Sequence, residues 1–318
     1  MRGRAEAVCP RTSVVEGEER VLHEISMESI TYRFDRAGEP CVRVRSGDRL
    51  RVHTRDAHSG TVDTREIWKD VAFPELDDST GNPVTGPVYI EEAEPGATLK
   101  VEILEIKPDE TGILPVRSYM GVLRDIVEQR TARVVRYHRK RLWISAGISV
   151  PARPMIGTIG VAAQGESVAA AYPGSHGGNL DDNYICEKST VFLPIYCKGA
   201  LFALGDVHAA MGDGELTCGG ADIDATVLVR VDVLEEAFPL DNPFVVKDGF
   251  VATHGFAPTY EDSAAMASTE MKKLLCMKMN VSEYEAVLLM ATRGDLGLCQ
   301  ACRCHVPMIV RMAFPILW

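Results

Sequence analysis

An α+β fold, mainly β, is predicted by three features of the chain. Alternation of apolar and polar residues recurs in short runs over most of 21–245. Glycine (27) and proline (17) punctuate those runs as turn residues. A helical period sets in only after Ser263. The expected organisation is a leader at 1–20, a β-rich core over 21–245 and an α/β unit over 246–318. The leader, MRGRAEAVCPRT onward, has arginines but no apolar stretch of a signal peptide, and reads as disordered or as a start-site artefact.

In order along the chain, ITYRF (30–34), CVRVR (41–45) and LRVHT (50–54) alternate as strands with one face solvated, and SGD (46–48) turns between the last two. The segment 61–88, rich in Asp, Pro and Gly, reads as a long loop, and long loops in compact domains are often functional. Pro95-Gly96 feeds ATLKVEILEI (97–106), a further strand in what is expected to be a sandwich or jelly-roll-like layer. Val122, Ile126 and Val127 have helix-compatible spacing. The basic run YHRKR (137–141) reads as a solvated face in so acidic a chain. Pro151, Pro154, Pro173 and many glycines suggest short strands of a small barrel-like unit up to Gly199, including TVFLPIY (190–196). GALFALGD (199–206) is a hydrophobic strand, and ATVLVRVDVLEE (225–236) alternates and returns to the first layer. In the last segment Met266, Met271, Leu274, Leu275 and Met277 fall largely on one helical side, as core. Ser282 to Glu285 has capping-box spacing, and Gly294 suits the helix stop.

A net charge of −11 argues against a nucleic-acid surface, which needs clustered Lys and Arg. The apolar runs, such as 308–312 with its central Arg311, fall far short of the ~20 residues that span a bilayer, so no membrane role is expected. Nine scattered cysteines in a chain large enough to fold without staples read as reduced thiols of a cytoplasmic protein. Cys299, Cys302, Cys304 and His305 are close enough to invite a zinc-knuckle reading. No second paired-thiol element accompanies them, so they are expected to line a strand as small apolar side chains.

The stretch ALGDVHAAMGDGELTCGGAD (203–222) crowds Asp206, His208, Asp213, Glu215 and Asp222 among glycines. Carboxylate and imidazole are ligand types of a divalent metal, and glycines let the backbone turn tightly enough for them to converge. An acidic loop between strands is the plainer alternative, since Gly-Asp-Gly is ordinary turn chemistry. Two further Gly-flanked clusters, TRDAHSG (54–60) and PGSHGGNLDD (173–182), tilt the balance towards a site assembled from loops.

At these residues the chain resembles the acetamidase/formamidase family of amide hydrolases. The resemblance rests on TRDAHSG (54–60), NPVTGPVYIEEAEPGATLKVEILEI (82–106), GTIGVA (157–162), PGSHGGNLD (173–181) and GALFALGDVHAAMGDGE (199–215), in the family's order. It implies a jelly-roll-like part, a small barrel and an α/β part. It also implies hydrolysis of a small linear amide. Where the resemblance leads one to expect a glutamate a few residues after GDGE, this chain has Asp222, shorter by one methylene.

For amide cleavage, the pentapeptide G-x-S-x-G of a serine nucleophile elbow does not occur. A cysteine nucleophile stays open, since it needs a base brought to it by the fold. Metal-assisted hydrolysis is the favoured reading, with a divalent ion, zinc by preference, as cofactor. The expected roles are Asp56, Asp206 and His208 as metal ligands and Glu215 as general base. Asn179 and Asp181 are expected to orient the amide or complete the coordination, Asp222 to touch substrate or metal, and His176 to donate to the oxyanion or only to support a ligand. His58 and Asp213 are read as structural turn residues. The rival from another class is a β-sandwich that binds a metal or small ligand without turnover. A homo-oligomer, most simply a two-fold dimer, is expected because closed symmetric assemblies predominate.

Overall fold

The computed structural model describes residues 20–72, 74, 79, 81–117, 120–125, 130–235, 238–302 and 307–318. The expected leader therefore lies outside the described residues, apart from Arg20. Mainly β is correct: nearly all strands join one hydrogen-bonded network, with two helices, α1 (Tyr260–Met279) and α2 (Glu283–Arg293), among the described residues.

The longest strand, Thr98–Val116, organises the network. It pairs antiparallel with Asp222–Leu234 from Asp222↔Ile113 to Leu234↔Thr98, and also with Thr131–His138 and Thr190–Pro194. Asp222–Leu234 carries Arg49–Thr54 on its other edge, so the strand expected at 225–236 does return to the first layer. Along it buried and half-buried residues alternate, so one face, with Val227, Val229 and Val231, meets the core. Each such side chain contributes about 1.5–3 kcal/mol on full burial.

A second group of strands centres on Phe202–His208, buried at every position, which explains why Phe202, Ala203 and Leu204 run without polar alternation. It pairs with Val84–Ile90 on one edge and Met155–Gly160 on the other, and Gly177–Asn179 extends the latter. The C-terminal strands Phe244–Lys247, Phe250–Ala257, Met308–Pro315 and Asp295–Gln300 follow as antiparallel neighbours. Helix α1 starts at the cap Thr259, whose side chain accepts from Asp262 N, and buries Ala267, Met271, Leu274 and Leu275. Ser282 and Glu285 form the expected capping box of α2, and Gly294 caps its other end; such N-caps contribute about 1 kcal/mol.

Several expectations change. No closed barrel forms among the described residues: Thr190–Pro194 hydrogen-bonds to Thr98–Val116 and Phe244–Lys247, while Met155–Gly160 joins Phe202–His208. Alternation identifies a strand but not its partner. The loop expected over 61–88 ends earlier, because Val84–Ile90 is a strand and Asp70–Val71 a short one. Val122 lies in a turn, and Ile126 and Val127 lie outside the described residues. Met277 is 42% exposed instead of core. The basic run 137–141 is a hairpin tip with positive φ at Arg139 and Lys140, solvated as expected.

Candidate active site

Three strand ends meet at one place. His208, at the end of Phe202–His208, lies directly opposite Asp222, the first residue of the next long strand. Asp206 precedes it by two, on the same side of the strand. The His208 Nε2 atom is 3.3 Å from Asp206 Oδ1 and 3.3 Å from Asp222 Oδ1. Asp181 and Asn179 arrive from the Gly177–Asn179 strand. Glu215 is delivered by the GDGE loop, which the C-terminal strand clamps: Gly214 N donates to Cys299 O at 3.1 Å, and Ala301 N to Gly214 O at 3.1 Å.

Glycine is required at two positions here. A Cβ on Gly157 would stand 2.7 Å from Asp181 Oδ1 and 2.9 Å from Asp206 Oδ2. One on Gly220 would meet the His208 ring at 2.5 Å. These close approaches let the carboxylates and the imidazole converge in a cavity of about 150 Å³. Asn82, Arg117, Asn179, Asp206, His208, Glu215, Asp222, Gln300 and Cys302 are among its lining residues. A larger cleft of about 810 Å³, lined by Phe192, Tyr196, Phe238 and Phe244, contains none of these acids or His208.

Polar bookkeeping identifies what the cavity is built for. Asp206 Oδ2 accepts from Asn82 Nδ2 at 2.9 Å, Asp181 Oδ2 from Gln300 Nε2 at 2.6 Å, and Glu215 Oε2 from the Cys302 thiol at 3.1 Å. Asn179 Oδ1 accepts from Thr158 Oγ1 at 2.7 Å. Left over are Asp206 Oδ1, Asp222 Oδ1 and Asp181 Oδ1, buried oxygens with no hydrogen-bond partner, the first two sharing only the His208 Nε2 at 3.3 Å as an ion-pair neighbour. Orphaned buried carboxylate oxygens are costly, several kcal/mol for an uncompensated ion. One donor atom each from Asp206, His208 and Asp222 lies within 4.8 Å of the others, and the same is true of Asp181, His208 and Glu215. Hard oxygens with one imidazole nitrogen suit a divalent cation.

Electrostatics agree. Burial disfavours a charged His208, yet the Asp206, Asp222 and Asp181 carboxylates outweigh it and raise the imidazole to about 10. Burial raises Asp222 to about 8, with His208 opposing, and pushes Asp181 and Glu215 above the usual carboxylate range. The cavity thus holds more negative charge than its own cations neutralise comfortably.

The family model for the acetamidase/formamidase family matches residues 20–170 and 162–293. The chain belongs to the acetamidase/formamidase family. That family is one of amidohydrolases acting on small amides. Over 92% of its length the chain superposes on a crystal structure of an acetamidase from Bacillus halodurans, with 33% identity, a TM-score of 0.86 and 97% of that chain covered. It is 21% identical over 69% of its length to a formamidase of Methylophilus methylotrophus, and 24% identical over 60% to an acetamidase of Mycolicibacterium smegmatis. These matches span 67% and 63% of the two relatives.

Of the eight residues read from the sequence as site candidates, six converge here: Asp206, His208, Asp222, Glu215, Asp181 and Asn179. Asp222 stands beside Asp206 and His208, among the groups that could hold a metal. Asp56 lies elsewhere: its oxygens accept from the backbone N of His58 at 2.7 Å and of Gly60 at 3.0 Å, an Asx turn that spends both on its own loop. His176 is buried against Phe34, ring centroids 5.0 Å apart, and is not among the residues lining the cavity; burial pushes it down to about 4. His58 is more than a turn residue, being buried with Nε2 3.9 Å from Asp222 Oδ2. Asp213 is structural as expected, bound by Arg311 and by Asn183 Nδ2 at 3.0 Å.

Sequence reading missed Asn82, Arg117, Gln300 and Cys302 as lining residues. Asn82 opens a segment already carrying the family resemblance, whereas Arg117 and Gln300 had no local signal. Cys299 does line a strand, but Cys302 faces Glu215, and Cys304 and His305 lie outside the described residues. Behind the site, Asp182, His254 and Cys299 form another compact group. There His254 bonds Asp182 at 2.8 Å and Pro243 O at 3.0 Å, and Arg311 donates to Asp182 at 3.1 Å. With both ring nitrogens facing acceptors and a guanidinium in place, this group is internally satisfied and braces the Asp181 loop.

Proposed function

We propose that this chain hydrolyses the C–N bond of a small linear amide, of the formamide or acetamide class, to a carboxylate and ammonia. The observation that carries the reading is the small cavity of about 150 Å³ in which orphaned carboxylate oxygens and an imidazole converge. At about 30 Å³ per liquid water, it has room for an amide of a few heavy atoms and one water.

Asp206, His208 and Asp222 would hold a divalent ion, zinc by preference, with Asp181 beside them. Such an ion would polarise the amide carbonyl and lower the pKa of water in the cavity. Glu215 acts as the general base, taking a proton from the water that attacks the carbonyl carbon and returning it to the leaving nitrogen. Asn82 Nδ2 holds Asp206 by a hydrogen bond at 2.9 Å, with the Thr158 hydroxyl oxygen 3.3 Å from the same carboxylate oxygen, which leaves the other oxygen toward His208. Asn179 orients the amide at the cavity wall.

A second chemical reading has its own observation. The Cys302 thiol sits 3.1 Å from Glu215 Oε2, the nucleophile and base pair that covalent amide cleavage requires. Against it, Cys302 is held above the ordinary thiol range: the Cys218 hydrogen bond works to lower it, and burial and Glu215 prevail. Cys302→Ala should therefore leave most of the turnover, and loss of all turnover with metal retained would favour the covalent route.

The non-catalytic binding reading has no support from the family. Ammonia release from formamide and acetamide, measured before chelation, after it and after zinc return, tests the proposal; turnover indifferent to chelation would refute the metal, and absence of turnover the whole reading. The described cysteines form no disulfide with one another, and no described helix is long and apolar enough to cross a membrane. We take the assembly to be a two-fold homodimer, which a monomer by light scattering at micromolar concentration would refute.

A further inference from the structure

Gln300 closes the Asp295–Gln300 strand and reaches the same cavity from the C-terminal part of the chain. It is 3% exposed. Its Nε2 is committed, donating to Asp181 Oδ2 at 2.6 Å. In that arrangement the nitrogen end of the carboxamide faces Asp181 and the oxygen end faces away from it. The position of the side chain is further held by the backbone on both sides: Gly214 bridges to Gln300, and Ala301 N donates to Gly214 O at 3.1 Å. What remains is Gln300 Oε1, a buried carbonyl oxygen with no hydrogen-bond partner among the described residues.

The other acceptor atoms of the cavity are mostly carboxylate oxygens suited to a cation, those of Asp206, Glu215 and Asp222. A neutral acceptor is different in kind. It has nothing to offer a metal that the carboxylates do not offer better, and leaving it unpaired costs about 1–3 kcal/mol. A ligand with an N–H directed at it removes that cost.

We infer that Gln300 is a substrate-binding residue that selects an unsubstituted amide nitrogen, its Oε1 accepting one N–H of the primary amide. The inference rests on the amidase reading above and deepens it. A primary amide carries two N–H donors; one can be given to Gln300 while the nitrogen lone pair stays available for the proton that lets it leave as ammonia. An ester of the same acid has no donor at that position and leaves Oε1 unpaired. An N,N-dialkyl amide has none either and presses methyl groups against it. Sites that hydrogen-bond a substrate N–H reject analogues lacking it for this reason.

The test compares kcat/KM for acetamide and for methyl acetate in the full chain and in Gln300→Met, which keeps length but removes the acceptor. Where ester turnover is below detection, the Ki of the ester against acetamide takes its place. The expected result is that the preference for amide over ester falls roughly 10- to 100-fold, beyond whatever equal loss both values suffer from releasing Asp181. A role confined to bracing Asp181 would lower both values together and leave the ratio intact, which would overturn the inference. Should Gln300→Met fail to fold, Gln300→Asn withdraws the oxygen by one methylene and is expected to lower the same ratio. An unchanged ratio in a folded Asn variant would overturn the inference equally. If the unsubstituted chain hydrolyses neither compound, the amidase reading falls and this one with it, whereas amide turnover with an unaltered ratio defeats only the assignment of Gln300.

Discussion

Replacing Glu215 by glutamine separates proton transfer from coordination and from packing. The side chain is buried, and one of its oxygens takes the Cys302 thiol at 3.1 Å. Glutamine can present an oxygen to that thiol and an amide NH₂ in place of the second carboxylate oxygen, so the packing survives while the base is lost. Burial already pushes Glu215 above its ordinary range, with Asp206 adding to the push and His208 opposing it. A neutral amide should therefore cost the fold little, and the thermal midpoint should hold or rise. Loss of a general base lowers turnover by roughly 10²–10⁴, equivalent to about 2.7–5.4 kcal/mol in the barrier at 1.36 kcal/mol per decade. The measurements are ammonia release, metal content of the purified variant and its melting curve. Metal content should be unchanged. Loss of metal together with activity would make Glu215 a ligand, and wild-type turnover would remove it from the mechanism.

Asp206→Asn combined with His208→Ala should abolish most divalent-metal content while the far-ultraviolet circular dichroism is kept; full metal content in a folded double variant would refute the ligand set. Gly157→Ala places a methyl 2.7 Å from Asp181 Oδ1 and 2.8 Å from Asp206 O. Overpacking of this kind costs about 1–3 kcal/mol, and activity should fall by at least tenfold because both carboxylates must move; an active, equally stable variant would show that their positions are not critical. Acid stability should depend on Asp182. Burial alone would raise it, but His254 and Arg311 depress it below its ordinary value, so its stabilisation is complete above about pH 4, its unfolded range, and is lost as pH falls through the lower folded value. In Asp182→Asn the acid limb of a denaturation curve should be flatter, and an identical limb would refute this.

Much of this was legible in the sequence where local pattern and chemistry coincide. The alternation at 225–236 marked a strand, and Ser282 with Glu285 marked a helix start, because each depends on neighbours in the chain. The crowding at 203–222 marked the site, since Asp206, His208 and Asp222 lie at facing strand ends. Asp56 forms an Asx turn, which uses the same residue types and glycines that a ligand loop uses, so the two are not separable in sequence. Partner choice was illegible in Thr190–Pro194, whose neighbours 98–102 and 244–246 are far off in sequence. Gln300 was invisible for the same reason, its partner Asp181 being 119 residues away.

The distribution of strain explains why so much of the chain is needed for a cavity this small. Asp181, Asp206 and Glu215 all have positive φ, at 44°, 53° and 44°. For residues with a Cβ this conformation costs about 1–3 kcal/mol each and persists only where the surroundings over-determine it. Each is pinned from a different part of the sequence. Asp206 is held by Asn82 and Thr158, Asp181 by Gln300, and the loop of Glu215 by backbone bonds to Cys299 and Ala301 and by Arg311 gripping Asp213. Three carboxylates that repel one another cannot set their own geometry. Strands from the N-terminal half, the middle and the C-terminal end set it for them, and the large core they share absorbs the cost.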